Sequence, residues 1–552
     1  MSSTFFGLNI AKSGLFASQK ALNVVSHNIA NANTEGYSRQ RVTMKADRPD
    51  ELPGIQGSLG TGVDTEQIIQ IRDEFLDFKF RGESEKLGEW EARMDGMETI
   101  ESIFNEPSDS GIRELMDQFY SSLHELNKNP ESLTTRALVR QRAIALTGGL
   151  NSMSESLKKF QKDTDFNVQV TATQVNSYAQ QIVDLNRVIY NSELSGGTAN
   201  DLRDQRNLLV DKLSELIDID YFEDDMGRFF INASGTALVS HYRYDELITV
   251  TRTELLNEGD APYLNDIAWK SGSTFIRNGG KLKALLDLQS NASGDSKGVP
   301  YYIEKLNEFA DTMTNELNRI HSSGFALSGD SGINLFTIDG MSTDEYNDYL
   351  LQFGLNGGNA IDVTDSVIVG VSEDNTETEN DLIVVRNMSA VLKNTAGYEK
   401  KSIKYIDGRY YITDRMDTTS LTISKEVDED LDSLATAEYQ EGLPGDGTNA
   451  LRLAESRHNV ELFAWGSPDD FVKSLVANLG VDTQEAIRMS DNTSNLRTQI
   501  DINRQSIAGV SLDEEMSEMI KFQHTYNASA RLMTTIDSML DTIINRLGLV
   551  GR

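Results

Sequence analysis

Hydrophobic positions near the start of the chain recur every seven residues, at Leu8, Leu15, Leu22 and Ile29, with Ala11, Ser18 and Val25 between them. The far end repeats the pattern. Met519, Tyr526, Met533, Leu540 and Leu547 form one row there, and Phe522, Ser529, Ile536, Ile543 and Val550 form the other. Steps of three and four residues put both rows on one side of an α-helix, the arrangement of helices that pack side by side. One such end would equally suit a helix lying on a globular core. Two matching ends, neither interrupted by proline, predict packing between helices and between subunits through Leu8, Ala11, Leu15, Leu22, Val25, Ile29, Met519, Phe522, Tyr526, Met533, Ile536, Leu540, Ile543 and Leu547.

Helical spacing continues inward. Residues 64–104 carry Ile68, Ile71, Phe75 and Phe78, then Trp90, Met94 and Met97 after a phase shift near Gly82, and are expected to be helical. Residues 111–127 follow suit. Residues 131–194 contain no proline and only Gly148–Gly149 as a weak break, so one helix here would run on the order of 90 Å at 1.5 Å per residue. Ser195, Gly196 and Gly197 close it, and 200–216 reads as a further helix.

The period then changes. Short strands are expected at 220–223, 228–232 and 247–251, and helices at 280–289 and 301–321. Residues 324–450 are rich in Gly, Asp, Thr and β-branched runs, including 365–371, 381–386 and 409–413, and read as a mainly β insert with acidic turns. Helix resumes at 469–508. The fold class expected is therefore α+β and multidomain. Heptad helical termini (1–50 with 508–552) sit at the base, a long-helix, rod-like unit (51–217, 275–325 and 451–507) above them, and mainly β outer parts (218–274 and 326–450) at the tip.

Charge sharpens this picture. The chain of 552 residues has 51 Lys and Arg against 86 Asp and Glu, a formal charge of −35. Residues 1–34 hold only Lys12 and Lys20 and no acid, so the excess of acid lies in the middle. Nearly neutral ends suit self-packing, and an acidic middle suits a solvated outer surface. Such a balance argues against nucleic acid as a partner, since binding it requires a basic face, and against anionic membrane surfaces. No apolar run is long enough for membrane insertion. The absence of cysteine excludes disulfides, thiolate catalysis and cysteine-ligated metals, and fits a chain bound for an oxidising place. The N-terminus lacks the basic n-region and unbroken apolar core of a secretory signal.

No constellation for catalysis emerges. The histidines His27, His124, His241, His321, His458 and His524 include no pair at i, i+4. Gly294 to Gly298 matches G-x-S-x-G but lacks the strand-turn-helix setting of a nucleophile elbow. Gly329 to Gly332 reads as a turn. Gly57, Gly60 and Gly62 form neither a dinucleotide fingerprint nor a P-loop. The acidic runs 373–381 and 428–432 lack calcium-loop spacing. No enzyme activity, cofactor or metal is expected.

The most specific segment runs from Ser26 to Gln40, where the N-terminal heptad helix gives way to an Asn-rich stretch, then Gly36 and Tyr37. Asn competes with helical hydrogen bonds and Gly permits a sharp turn, which explains the composition but not the order. That order resembles the bacterial flagellar axial proteins, the rod, hook and hook-associated proteins, whose first helix ends in an N-N-I-A-N-x-x-T-x-G-Y/F motif. Asn28, Asn31, Gly36 and Tyr37 match it, and His27 stands in place of the usual first Asn. Residues 519–530 resemble the family's terminal helix. Three further stretches are similar to the hook–filament junction members: Gly36 to Gln40 with Arg39 and Gln40; Ala199 to Val210 with Asp204, Gln205 and Arg206, and Asn207 where Asp is usual; and Gly509 to Met516 with Leu512, Asp513, Glu514 and Glu515, and Ala508 where Ser usually leads.

The resemblance implies a structural subunit at the junction of hook and filament. It would be exported through the flagellar type III apparatus without a cleaved signal peptide and would be extracellular, self-assembling through its terminal helices. The implied partners are copies of itself, the hook protein, the second hook–filament junction protein, and an export chaperone at the C-terminal region. Another axial subunit (hook, rod or second junction protein) is the alternative. An unrelated scaffold or surface enzyme would need features not found.

Overall fold

The computed structural model describes residues 6–51, 58–104, 111–194, 196–294, 296–353, 361–362, 401–406 and 409–546. The strand expectations at 365–371 and 381–386, the acidic run 373–381, and the seam positions Leu547 and Val550 lie outside the described residues.

The chain opens with helix α1 (Phe6–Ala30) and a two-stranded antiparallel sheet, β1 (Gln40–Ala46) with β2 (Val63–Gln70). Here the structure corrects the sequence expectation. Residues 63–70 form a strand, and helix α2 (Glu74–Phe104) begins only after it. Ile68, Ile71 and Phe75 mimic helical spacing, yet Val42 pairs with Ile68 and Arg41 with Ile69, so a distant partner overrides the local pattern.

Helices α3 (Ile112–Lys128) and α4 (Leu133–Glu193) follow. Helix α4 is one unbroken element of 61 residues, on the order of 90 Å long. Its sequence has no proline, and Gly148 and Gly149 stay helical. Such a helix is stable because it is an axis for two cores rather than through propensity. Around its first half, Val139, Leu146, Leu150 and Leu157 join α3, the end of α2, helix α7 (Val299–Ser322), helix α9 (Thr448–Glu455) and the start of helix α10 (Pro468–Ala508). Around its second half, Val168, Val175, Ile182 and Ile189 lie on the same face. Most of these join helix α5 (Asn200–Leu216), helix α6 (Gly280–Ser290) and a small β layer.

That β layer is a four-stranded meander, β3 (Ile219–Glu223), β4 (Phe229–Ala233), β5 (Thr236–Ser240) and β6 (Arg243–Tyr244), beside the pair β7 (Leu247–Thr251) and β8 (Asn265–Trp269). Strands 219–223, 229–233 and 247–251 were anticipated to within a residue. Strands β5, β6 and β8 were not.

The insert after α7 is more mixed than its sequence suggested. It contains strands at Phe336–Ile338 and Leu421–Ile423, which pair, and a hairpin at Lys401–Ile406 and Arg409–Asp414. It also contains helix α8 (Thr343–Phe353). Leu335, Phe336, Leu421 and Val427 share the core around the first half of α4. Helix α10 then runs along α2, and helix α11 (Leu512–Asp541) returns antiparallel to α1.

Candidate functional site

Helix α1 stops where its sequence changes. The carbonyl of His27 accepts from the Asn31 side chain at 3.0 Å, satisfying one of the free acceptors at a helix end. Gly36 then takes φ +77, and a Cβ there would lie 3.1 Å from the Leu208 side chain. Glycine is needed on both counts. The turn returns Tyr37 to α1, brings Ser38 and Gln40 to α5, and brings Arg39 to the end of α10 and the start of α11.

Asn28, buried near the end of α1, is the hub. Its Oδ1 accepts from the Tyr37 hydroxyl at 2.7 Å and the Gln40 backbone N–H at 3.0 Å. Its Nδ2 donates to the Gln40 carbonyl at 2.9 Å and to Glu515 Oε2 at 3.0 Å. The other Glu515 oxygen accepts from Arg39 Nε at 2.6 Å, while Arg39 Nη1 reaches Glu514 at 2.8 Å. The Arg39 backbone bridges two further elements, its N–H donating to the Ala508 carbonyl and its carbonyl accepting from Ile71. His27 Nδ1 lies 3.0 Å from the Tyr37 hydroxyl, whose proton goes to Asn28, so the ring donates there.

A second tier fastens this turn to the body. Ser38 donates through both its N–H (2.9 Å) and its hydroxyl (2.7 Å) to the Asp204 carboxylate. Gln40 Nε2 donates to Asp201 at 2.7 Å. Arg72 bridges Asp204 and Asp77, Arg504 bridges Asp77 and Asp211, and Arg81 pairs with Asp211 at 2.7 Å. Arg206 turns the other way, pairing with Glu223 and lying 4.0 Å over the Phe229 ring.

Burial raises the Asp204 carboxyl above its usual range, against the lowering pull of Ser38 and Arg72. Burial, with the negative charges of Asp201, Asp204 and Glu515, pushes the Tyr37 phenol up. The arrangement can hold three chain segments together. Among the described residues no group of three or more His, Asp or Glu side chains could hold a metal ion, and no helix is long and apolar enough to cross a membrane.

The family-motif residues Asn28, Asn31, Gly36, Tyr37, Arg39, Gln40, Asp204, Glu514 and Glu515 thus meet in one cluster, with Arg206 on its flank. Gln205, Leu512 and Asp513 are exposed and stay outside it. Sequence reasoning missed Arg72, Asp77, Asp211 and Arg504. Arg72 lies in the link between β2 and α2, and Asp77, Asp211 and Arg504 lie on three different helices, so no local pattern joins them.

The seam residues are also placed. On α11, Met519, Phe522, Tyr526, Ser529, Met533, Ile536 and Leu540 are the half-covered face turned to α1. On α1 two glycines lie close against α11. A Cβ on Gly7 would meet Ile536 at 3.2 Å, and one on Gly14 would meet Ser529 at 3.1 Å. Asn28 on Glu515 continues the same antiparallel register. Ala11 and Val25 are buried, whereas Leu8, Leu15, Leu22 and Ile29 are half-buried and Ile543 is exposed.

Residues 97–336 match the family described as flagellar hook-associated protein FlgK helical domain. Residues 504–547 match the flagellar basal body rod FlgEFG protein C-terminal family, and 8–37 the flagella basal body rod protein family. Flagellar hook-associated protein 1 of Bacillus subtilis is 30% identical over the whole of both chains. That of Escherichia coli is 26% identical over 98% of this chain and 99% of its own. The structure of the flagellar hook junction protein FlgK from Burkholderia pseudomallei shares the fold, with a TM-score of 0.57, 14% identity, and coverage of 78% of this chain and all of that one.

Proposed function

The chain belongs to the flagellar hook-associated protein 1 family, and from that premise we propose how it acts as a structural subunit of the junction between hook and filament. Helices α1 and α11 form the layer that packs against copies of the same chain. The body built on α4 stands outward from it, and the β layer of residues 219–269 belongs to the exposed collar. The hook protein lies on one side of this layer and the second hook–filament junction protein on the other. The chain reaches that place unfolded, through the flagellar type III route without a cleaved signal peptide, with an export chaperone on its C-terminal region. The family is structural rather than enzymatic.

The observation that carries this reading is the cluster around Asn28, which ties the paired termini to the body. The relatives matched end to end support the same placement. A physical cycle follows. On α11 only Glu515 is buried, so that helix keeps most of its surface uncovered within one chain. Isolated helices are marginal in water, and ordering the ends costs about 1–2 kcal/mol per residue in backbone entropy. That cost is met when neighbouring copies cover the remaining apolar surface, so the ends order on a template and the free chain stays single.

Deleting the gene and imaging the cells by electron microscopy tests the function. Bare hooks with flagellin lost to the medium are expected. Normal filaments would overturn the axial assignment, and missing hooks would move the protein to the rod or hook.

A further inference from the structure

The heptad seam of α11 is half covered by α1 of the same chain. Its flanks remain open to a neighbouring copy. Helix α11 keeps a second apolar row, Leu512, Met516 and Ile520, each about half exposed or more. Their spacing of four places them roughly 110° round the helix from the seam. Asp513 shares this flank, three residues before Met516 and seven before Ile520, and is exposed. On α1, Phe16 is 49% exposed. It lies two positions beyond Gly14, about 200° round the helix from the α11 contact. Lys12 sits one turn away with its Nζ 5.8 Å from the Phe16 ring.

The two flanks are complementary. Helix α1 carries two lysines and no acid, whereas α11 carries six acids and two bases. Within the described residues neither Lys12 nor Asp513 makes an ion pair. We propose, resting on the junction reading, that α1 of one copy docks on the outer flank of α11 of the next. Phe16 enters the Leu512–Met516–Ile520 row, and Lys12 faces Asp513. The partner is a second copy because the row runs directly on from the α1–α11 interface and because the match is between unlike surfaces. A contact of α1 on α11 repeats from copy to copy, as a ring or helical layer requires, whereas a self-matched patch would close as a pair.

The chain has no cysteine, which makes the test clean. In the intrachain register Phe16 lies level with Asn527, eleven residues from Met516. The two are then about 16 Å apart along the helix, too far for a disulfide, whose Cα atoms lie within about 7 Å. F16C and M516C chains would be co-expressed in cells lacking the native chain, and their isolated junctions oxidised. A disulfide-linked dimer in the mixture, absent from either variant alone, is expected. Assembled junctions without that dimer, a dimer from M516C alone, or a link from M516C to a different polypeptide would overturn the proposal while leaving the junction role intact. If the cysteine variants do not assemble, charge reversal decides. Lys12→Glu and Asp513→Lys should each lower junction occupancy at least tenfold, and the double variant should restore it. Unimpaired assembly of both single variants, or failure of the double to recover, would overturn the contact.

Discussion

Asn28 and Glu515, 487 positions apart in the chain, are joined by a 3.0 Å hydrogen bond from the Asn28 amide to a fully buried carboxylate. The bond fixes how the two ends of the chain meet. The other Glu515 oxygen holds Arg39, so a single carboxylate anchors α11 to the turn that leaves α1. Burying a charge is costly unless it is paired and hydrogen-bonded, and Glu515 is both.

Glu515→Ala leaves the Asn28 amide and the Arg39 guanidinium without that acceptor. The loss should be about 3 kcal/mol in the local stability of the terminal pair. In assembled junctions, where the terminal pair is ordered, hydrogen exchange should show α1 and the start of α11 opening more easily while α4 keeps its protection. Glu515→Gln, which retains an acceptor, should lose less.

The close approach of α1 to α11 depends on Gly7 and Gly14. Gly14→Leu drives a branched side chain into Ser529 and should part the helices. Leu22→Asp places an unpaired charge in the half-covered seam. Both variants should be stable in the body, with urea midpoints for the α4 cores unchanged, yet should fail to enter junctions in a complementation assay.

His321 is fully buried. Its Nε2 accepts from the Ala435 N–H at 2.9 Å, and its Nδ1 donates to the Ile333 carbonyl at 2.7 Å. Burial lowers its pKa from 6.5 to about 4. The folded state therefore holds fewer protons than the unfolded chain between those values. Its stabilisation is complete above pH 6.5 and declines as the pH falls toward 4. The loss from this residue is on the order of 3 kcal/mol, at about 1.4 kcal/mol per unit. Urea titrations across that window should show the decline, and a His321→Asn variant should flatten it.

Arg136, at the base of α4 and fully buried, donates to the carbonyls of Pro130, Leu431 and Leu434 and to the Thr436 hydroxyl. Burial lowers its pKa. Arg136→Ala strands three carbonyls and opens a cavity. It should cost about 3–5 kcal/mol, seen as an earlier urea transition of the core around α3, α7 and α9.

Much of this architecture was legible because it is local. The uninterrupted pattern from 133 to 193 fixes α4, and the a and d rows of 519–540 name the face that meets α1. What escaped depends on distant partners. Strand β2 looks helical until β1 pairs with it. Helix α8 hides in a Gly- and Asp-rich stretch. The cluster around Asn28 was visible as separate motifs but not as one object, because Ser38 and Asp204, or Arg504 and Asp211, signal nothing to each other along the sequence. The predicted rows of α11 turn to α1 of the same chain and stay half covered there. Gly7 and Gly14, which the heptad rows do not include, also lie close against α11.

The central claim is that the paired termini are the element that orders and packs in the junction. Hydrogen exchange on the free full-length chain and on isolated junctions tests it most directly. The account predicts that residues 6–30 and 516–541 exchange rapidly in the free chain and are strongly protected in junctions, with α4 protected in both. Equal protection of the termini in the two states would contradict it.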